Sequence, residues 1–148
     1  MELGRLIPAG RLDYFSEGLL IMTNDGGCVN ALTHPSRRVG KTYLAWVLGD
    51  IDAAMPALAA PITIGGAATR PARVRVAAAG LLAVTVGEGK NRQVRRLCER
   101  AGLRVTRLKR VSEGKLELGD MKPGEWRFLT ERELEYVSEL TREGPKGQ

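Results

Sequence analysis

The sequence predicts a mixed α+β domain, and three observations carry the prediction. Runs of strand formers crowd the middle third, the longest being Lys41-Thr42-Tyr43-Leu44-Ala45-Trp46-Val47-Leu48. Asn91 is placed to cap a helix whose apolar stripe is Val94, Leu97, Cys98 and Ala101, at i, i+3, i+4 and i+7, with Gly102 just past its end. Thr130 and Glu133 have the spacing of a capping box and open another helix.

Taken in order, residues 17–25 hold an apolar run, Gly18-Leu19-Leu20-Ile21-Met22-Thr23, ending in the turn signal Asn24-Asp25-Gly26-Gly27; this reads as a buried strand and a turn. A short helix over 27–32 is expected to stop before Pro35. Gly49-Asp50 closes the strand over 41–48, and the alanine-rich stretch 53–60 reads as a helix broken by Pro56. Residues 73–76 and 81–86 flank Gly80 as a hairpin. Beyond the helix capped by Asn91 come a strand over 103–111 and two short runs, Lys115-Leu116-Glu117-Leu118 and Trp126-Arg127-Phe128-Leu129. The last helix is expected to turn Leu134, Val137 and Leu140 inward and 144–148 to fray, leaving one domain over 1–143. Trp46, Trp126, Cys28 and Cys98 are assigned to the interior, and His34, before Pro35, to a turn.

A chain of 148 residues can bury roughly two thirds of the surface its unfolded form exposes, enough for a core without staples. One histidine and two distant cysteines cannot build a zinc finger, a zinc deaminase centre or a disulfide framework, so no metal is expected. The absence of a GxSxG elbow disfavours a hydrolase triad, and few aromatics with no RNP1-like string disfavour an RRM-type stacking sheet. The longest uncharged stretch, 53–69, is interrupted by Pro56, Pro61, Gly65 and Gly66 and is not read as a membrane span. Two separated cysteines and no signal-peptide pattern fit a reducing cytoplasm. The net charge of +6 and pI near 9.7 point to an anionic partner. Residues 87–110 hold nine basic side chains against two acids, a local +7, so the other 124 residues sum to −1. Apolar residues interleave this block, which reads as an ordered basic surface suited to a nucleic acid.

Three strings carry chemistry. The first is Gly10-Arg11-Leu12-Asp13 followed by Ser16-Glu17-Gly18-Leu19-Leu20; the second is Lys41-Thr42-Tyr43; the third is Glu88-Gly89-Lys90-Asn91-Arg92-Gln93-Val94-Arg95-Arg96. In this order and at these separations, with Leu32-Thr33-His34-Pro35 and Gly124-Glu125-Trp126-Arg127, the chain resembles the RsuA-type pseudouridine synthases of ribosomal RNA, the branch that includes RluB, RluE and RluF. The resemblance covers nearly the whole chain. It implies an α+β catalytic fold: a mixed, mostly antiparallel sheet in two halves flanked by helices, with the active site in the cleft between them. It also implies an isomerase that converts a uridine of RNA, ribosomal RNA first, with no metal or redox cofactor.

The same resemblance implies roles. Asp13 matches the family's catalytic aspartate, acting as a nucleophile at the sugar or removing a sugar proton. Arg95 matches its basic partner, which favours the ionised carboxylate and orients it. Tyr43 matches the tyrosine that lies against the base and assists proton transfer at C5. Val94 matches an apolar contact within the pocket. Arg11 is expected to face the RNA backbone or fill the space left by the extruded uridine. Lys41, Lys90, Arg92 and Arg96 are expected to hold RNA, offsetting the roughly few kcal/mol that extrusion costs.

Family members usually carry a further strand with a Lys-Pro motif ahead of the Gly-Arg-Leu-Asp string, and many an S4 RNA-binding domain before that. Only ten residues precede Arg11, so both are expected to be missing, as the S4 domain is in the RluE branch. A second copy of the chain, another partner or a rearranged N-terminus is then expected to cover the exposed sheet edge. Asp13-Tyr14-Phe15-Ser16 also places two aromatics after the aspartate, where they are expected to shape the pocket or its RNA contacts.

Each residue also has a plainer reading: Asp13 as a turn or cap, Tyr43 as core, Arg95 as a solvated helix residue. Asp13 with Glu17 suggests a glycosidase pair, although sequence spacing does not fix carboxylate separation. Glu88-Gly89-Lys90-Asn91 lacks the Gly-Lys-Ser/Thr ending of a nucleotide loop. The rival for the whole chain is a non-catalytic RNA-binding or ribosome-assembly module on the same fold. A DNA-binding domain is weaker, because the basic helix has no helix-turn-helix partner. The enzyme reading requires Asp13, Tyr43 and Arg95 to converge in one cleft.

Overall fold

Strand-forming residues in the middle of the chain assemble into one large sheet, as the computed structural model shows for residues 4–37, 39–89 and 92–143. The Asn91 cap, Lys90 and the tail over 144–148 lie outside the described residues. In chain order the elements are β1 (Ile7–Pro8), β2 (Ser16–Gly18), β3 (Met22–Thr23), α1 (Gly26–Thr33), a 3₁₀ turn (Pro35–Arg37), β4 (Lys41–Leu48) and α2 (Ile51–Ala59). There follow β5 (Thr63–Ile64), β6 (Ala67–Ala68), β7 (Arg73–Ala78), β8 (Leu81–Val86), α3 (Gln93–Arg100), β9 (Arg104–Glu113), β10 (Leu116–Glu117) and α4 (Glu131–Glu143). The large sheet runs β10-β9-β4-β8-β7, antiparallel throughout, and β2 lies parallel beside β9, from Ser16↔Leu108 to Gly18↔Arg110. β1 pairs with β3 and β5 with β6 in two small ribbons.

Alternation along the strands gives the sheet an apolar inner face. Ala45 and Val47 of β4, Leu82, Val84 and Val86 of β8 and Leu108 of β9 pack there against Ala54 and Leu58 of α2 and Val94, Leu97 and Cys98 of α3. A second core beneath α1 and α4 gathers Ala9, Leu19, Ile21, Cys28, Leu32, Val39, Leu116, Leu118 and Val137. The fold is therefore α+β in two parts. The loop between β1 and β2, which carries Asp13, passes from the small β1–β3 ribbon to the large sheet.

One irregularity sets the chemistry of the inner face. Thr42 pairs with Ser112, but Tyr43 pairs with Arg110, so Val111 is an extra residue on β9. Strict alternation would send Arg110 and Glu113 to opposite faces; the bulge lets both point inward with Lys41 and Tyr43.

α3 ends as its sequence predicts. Gly102, at φ 84, donates to Glu99 O, and Leu103 donates to Cys98 O, closing a Schellman motif. The helix begins at Gln93, where Arg92 sits at the cap position in the left-handed region (φ 50, ψ 33) with no side-chain cap. The α4 capping box is reciprocal: Thr130 N donates to Glu133 Oε1 at 2.8 Å and Glu133 N to Thr130 Oγ1 at 3.2 Å.

Five expectations are corrected. The run over 18–23 is two strands in different sheets, because Gly18 turns the chain at φ 113 against the Arg110 backbone; a Cβ there would overlap the Arg110 carbonyl. α2 continues through Pro56, capped by Asp50, which accepts from Ala53 N at 3.1 Å. Leu134 is exposed, since α1 meets the other half of α4, with Gly27 against Thr141. Trp126 is also exposed, edge-to-face with Phe128 on a surface segment. Trp46 is half-buried on the outer face of the sheet, under the Arg107 guanidinium at 4.4 Å.

Candidate active site

Asp13 owes its position first to its own loop. Its Oδ1 accepts from Phe15 N at 3.0 Å and from Ser16 Oγ at 2.8 Å, while its carbonyl accepts from Ser16 N at 3.0 Å. This is an Asx-turn, so the plain turn reading of Asp13 describes real geometry. It does not exhaust the residue: Oδ2 takes no part in the turn and faces Arg95 Nε at 3.6 Å. That separation is an ion pair but too long for a hydrogen bond, and Nε is buried without a hydrogen-bond partner. Arg95 is held instead through Nη2, which donates to Phe15 O at 2.8 Å. One guanidinium thus fixes the loop and supplies positive charge to the free carboxylate oxygen.

The loop is clamped from below by Arg110, a member of the basic block. Arg110 is 2% exposed; its Nε donates to Leu19 O at 2.9 Å and its Nη1 to Arg11 O at 3.2 Å. These carbonyls lie on either side of the Asp13 loop. Glu113, 1% exposed, balances the charge at 3.0 Å from Arg110 Nη2. Burial pushes the Glu113 carboxyl above its ordinary range, opposed by Arg110 and Lys41. The pairing follows from the bulge at Val111, a long-range feature that no local pattern announces.

The other expected residues are placed as follows. Tyr43 is half-buried on the inner face, opposite Arg110 in register and packed against the core that contains Val94. Among the described residues no hydrogen bond ties its hydroxyl to Asp13 or Arg95. Val94 is 3% exposed and belongs to that core. Arg11, Arg92 and Arg96 are exposed. Lys41 is not: its Nζ points to Val39 O at 3.5 Å inside the protein. Burial lowers its pKa, with Glu113 opposing, so its place is beside the Arg110–Glu113 pair and not on an RNA-facing surface.

Much of the +7 block is structural as well. Arg100 donates to Pro61 O at 2.6 Å and Ala60 O at 2.7 Å, and also to Ala57 O, closing the end of α2. Arg107 grips Glu17 with two hydrogen bonds, 2.6 and 3.1 Å, which lowers the Glu17 pKa and excludes it as a glycosidase partner for Asp13. Arginine suits these tasks because its planar fork reaches two acceptors at once. Glu88 accepts from Gln93 Nε2 at 3.1 Å and from Arg70 N at 3.2 Å, holding the start of α3 to the segment before β7. His34 shares a hydrogen with Ser36 Oγ at 2.7 Å in its turn. The two cysteines are free and buried, and burial pushes the Cys98 thiol up to about 11. Among the described residues no three metal-ligating side chains cluster, and no helix is long and apolar enough to cross a membrane.

The family described as RNA pseudouridylate synthase matches residues 2–100. An RNA pseudouridine synthase of Aquifex aeolicus is 38% identical over 135 residues, 88% of this chain and 54% of that protein. Ribosomal large subunit pseudouridine synthase B of Bacillus subtilis is 36% identical over 95% of this chain and 60% of its own length. Ribosomal large subunit pseudouridine synthase E of Xanthomonas campestris is 38% identical over 83% of this chain and 76% of its own. A crystal structure of a pseudouridylate synthase superposes with a TM-score of 0.80 at 31% identity, covering 90% of this chain and 60% of that one. The chain thus spans little more than half the length of the first two relatives.

Proposed function

The chain belongs to the RNA pseudouridylate synthase family, and from that membership we propose that it isomerises a uridine of RNA, ribosomal RNA first, to pseudouridine in the cytoplasm. The observation that carries this reading is the Asp13 carboxylate, with Oδ1 engaged by its loop and Oδ2 facing a buried guanidinium at 3.6 Å.

The isomerisation breaks the bond from N1 to C1′ and makes one from C5 to C1′; C5 gives up its hydrogen and N1 gains one, so the atoms balance within the substrate. Asp13 Oδ2 acts as the nucleophile at C1′ or as the base for a sugar proton. Either role needs the ionised form, and the Arg95 guanidinium facing Oδ2 orients it. Tyr43 lies against the base and assists the proton transfer at C5, with Val94 as an apolar wall. Arg11, Arg92 and Arg96, with Lys90, contact phosphates and offset the cost of extruding the uridine. The names of the Bacillus and Xanthomonas relatives make large-subunit ribosomal RNA the first substrate to try. Leu6, Ile7 and Met22 are exposed on the β1–β3 ribbon, and this apolar edge is the place for a second copy of the chain or another partner.

The test is to incubate unmodified ribosomal RNA transcripts with the chain and map pseudouridine. A new pseudouridine at a defined position supports the reading. Salt-dependent binding with no pseudouridine would leave the non-catalytic RNA-binding module.

A further inference from the structure

Two of the most exposed apolar side chains in the molecule stand beside the reacting carboxylate. Tyr14 is 93% exposed and Phe15 75%, and the two rings meet edge-to-face at 5.0 Å and 83°. Exposed aromatics on a floppy loop would mean little, but this loop is pinned on every side. Phe15 N donates to Asp13 Oδ1, Phe15 O accepts from Arg95, Ser16 is bound to Asp13 twice, and Glu17 is gripped by Arg107. The backbone is ordered before anything binds, so little entropy is left to lose when the rings are covered.

We infer that the Tyr14–Phe15 pair is a stacking platform for an unpaired RNA base next to the target uridine. The inference rests on the proposed function and adds the contact that holds the neighbouring nucleotide. Two arguments choose the occupant. The first is reach: Phe15 follows Asp13 by two residues, at most about 7 Å of chain. When a uridine sits at Asp13, the rings are therefore within reach of that nucleotide or of one joined to it. The second is charge. Arg11, three residues before Tyr14 in the chain, is exposed, Arg95 donates to the Phe15 carbonyl from within the protein, and the nearby acid Glu17 is neutralised by Arg107. Exposed aromatics on a loop without an unpaired acid suit a base attached to a phosphate chain.

The platform is also coupled to the chemistry. The amide that positions Phe15 donates to the same carboxylate that reacts, and the guanidinium facing Oδ2 holds the Phe15 carbonyl. A base stacked on Phe15 therefore bears on a loop whose position is the position of Asp13.

The experiment has two readouts. The first is release of tritium from a large-subunit ribosomal RNA transcript labelled at uridine C5, with KM and kcat measured for the wild type, the Tyr14→Ala/Phe15→Ala double variant and the Tyr14→Phe/Phe15→Trp double variant. The alanine variant is expected to raise KM about tenfold or more, since base–aromatic stacking is of that size; the aromatic variant should stay within about twofold of wild type. The second is the fluorescence of 2-aminopurine placed centrally in a short oligouridylate, which stacking quenches whether or not turnover occurs. Quenching by the wild type and its loss in the alanine variant support the platform. Unchanged KM together with unchanged quenching in the alanine variant, or equal loss in both double variants, would overturn it. A wild type that quenches but releases no tritium would overturn the proposed function and leave the stacking site standing. Both rings lie in solvent, so the alanine variant should melt with the wild type, which circular dichroism checks.

Discussion

Arg110 donates to the carbonyls on both sides of the Asp13 loop, and a lysine cannot. Arg110→Lys keeps the charge opposite Glu113 but loses the fork. Misplacing a reacting group by about 1 Å costs on the order of a hundredfold in rate. The variant should therefore lose about that much kcat with KM nearly unchanged, because Arg110 is buried away from RNA; steady-state kinetics on tritiated transcript read the split. The pairing of Asp13 with Arg95 was legible in the sequence through the strings that contain them, and so was the turn chemistry of Asp13. Arg110 and Glu113 were not, because their pairing depends on a bulge opposite Thr42 and Tyr43, far away in the chain. Lys41 misled for the same reason. A lysine opening a strand looks solvated until the strand across from it presents a buried carboxylate.

At the scale of elements, local chemistry was read well and coverage was not. The Thr130–Glu133 box, the Gly80 hairpin and the Gly102 stop all rest on neighbours within a few residues, and all are present. Leu134 and Trp126 failed because periodicity reports that a face is apolar, not that another element covers it. The capping box makes a pH-dependent prediction. The Arg127 fork, at 2.7 and 2.9 Å, and the Thr130 amide hold the Glu133 carboxyl down to about 2, below its ordinary 4.5. A depressed carboxylate stabilises the fold above its unfolded pKa and loses that contribution as pH falls through the folded one. Glu133→Gln should therefore cost about 1 kcal/mol at neutral pH, and the difference from wild type should shrink between 4.5 and about 2. Urea unfolding at neutral and acid pH measures it.

For the whole molecule, the net charge of +6 says less about RNA than it first suggests. Arg95, Arg100, Arg107 and Arg110 are engaged with carbonyls or carboxylates of the protein, while Arg92 is exposed at the head of α3. Removing a phosphate contact flattens the salt dependence of binding, by about 0.7 to 0.9 in log–log slope per contact. Arg92→Gln should flatten it by about that much, and Arg100→Gln should lower thermal stability while leaving the slope unchanged; filter binding across a salt series separates the two. Asp13 is positioned by its own Asx-turn, faced by Arg95 and seated where the chain passes between sheets. The most direct measurement compares wild type and Asp13→Asn for tritium release from C5-labelled large-subunit ribosomal RNA, alongside affinity for the same transcript. Asparagine keeps the acceptor for Phe15 and Ser16, so binding should stay within about threefold of wild type while release falls to background. Sustained release of tritium by Asp13→Asn would contradict the account.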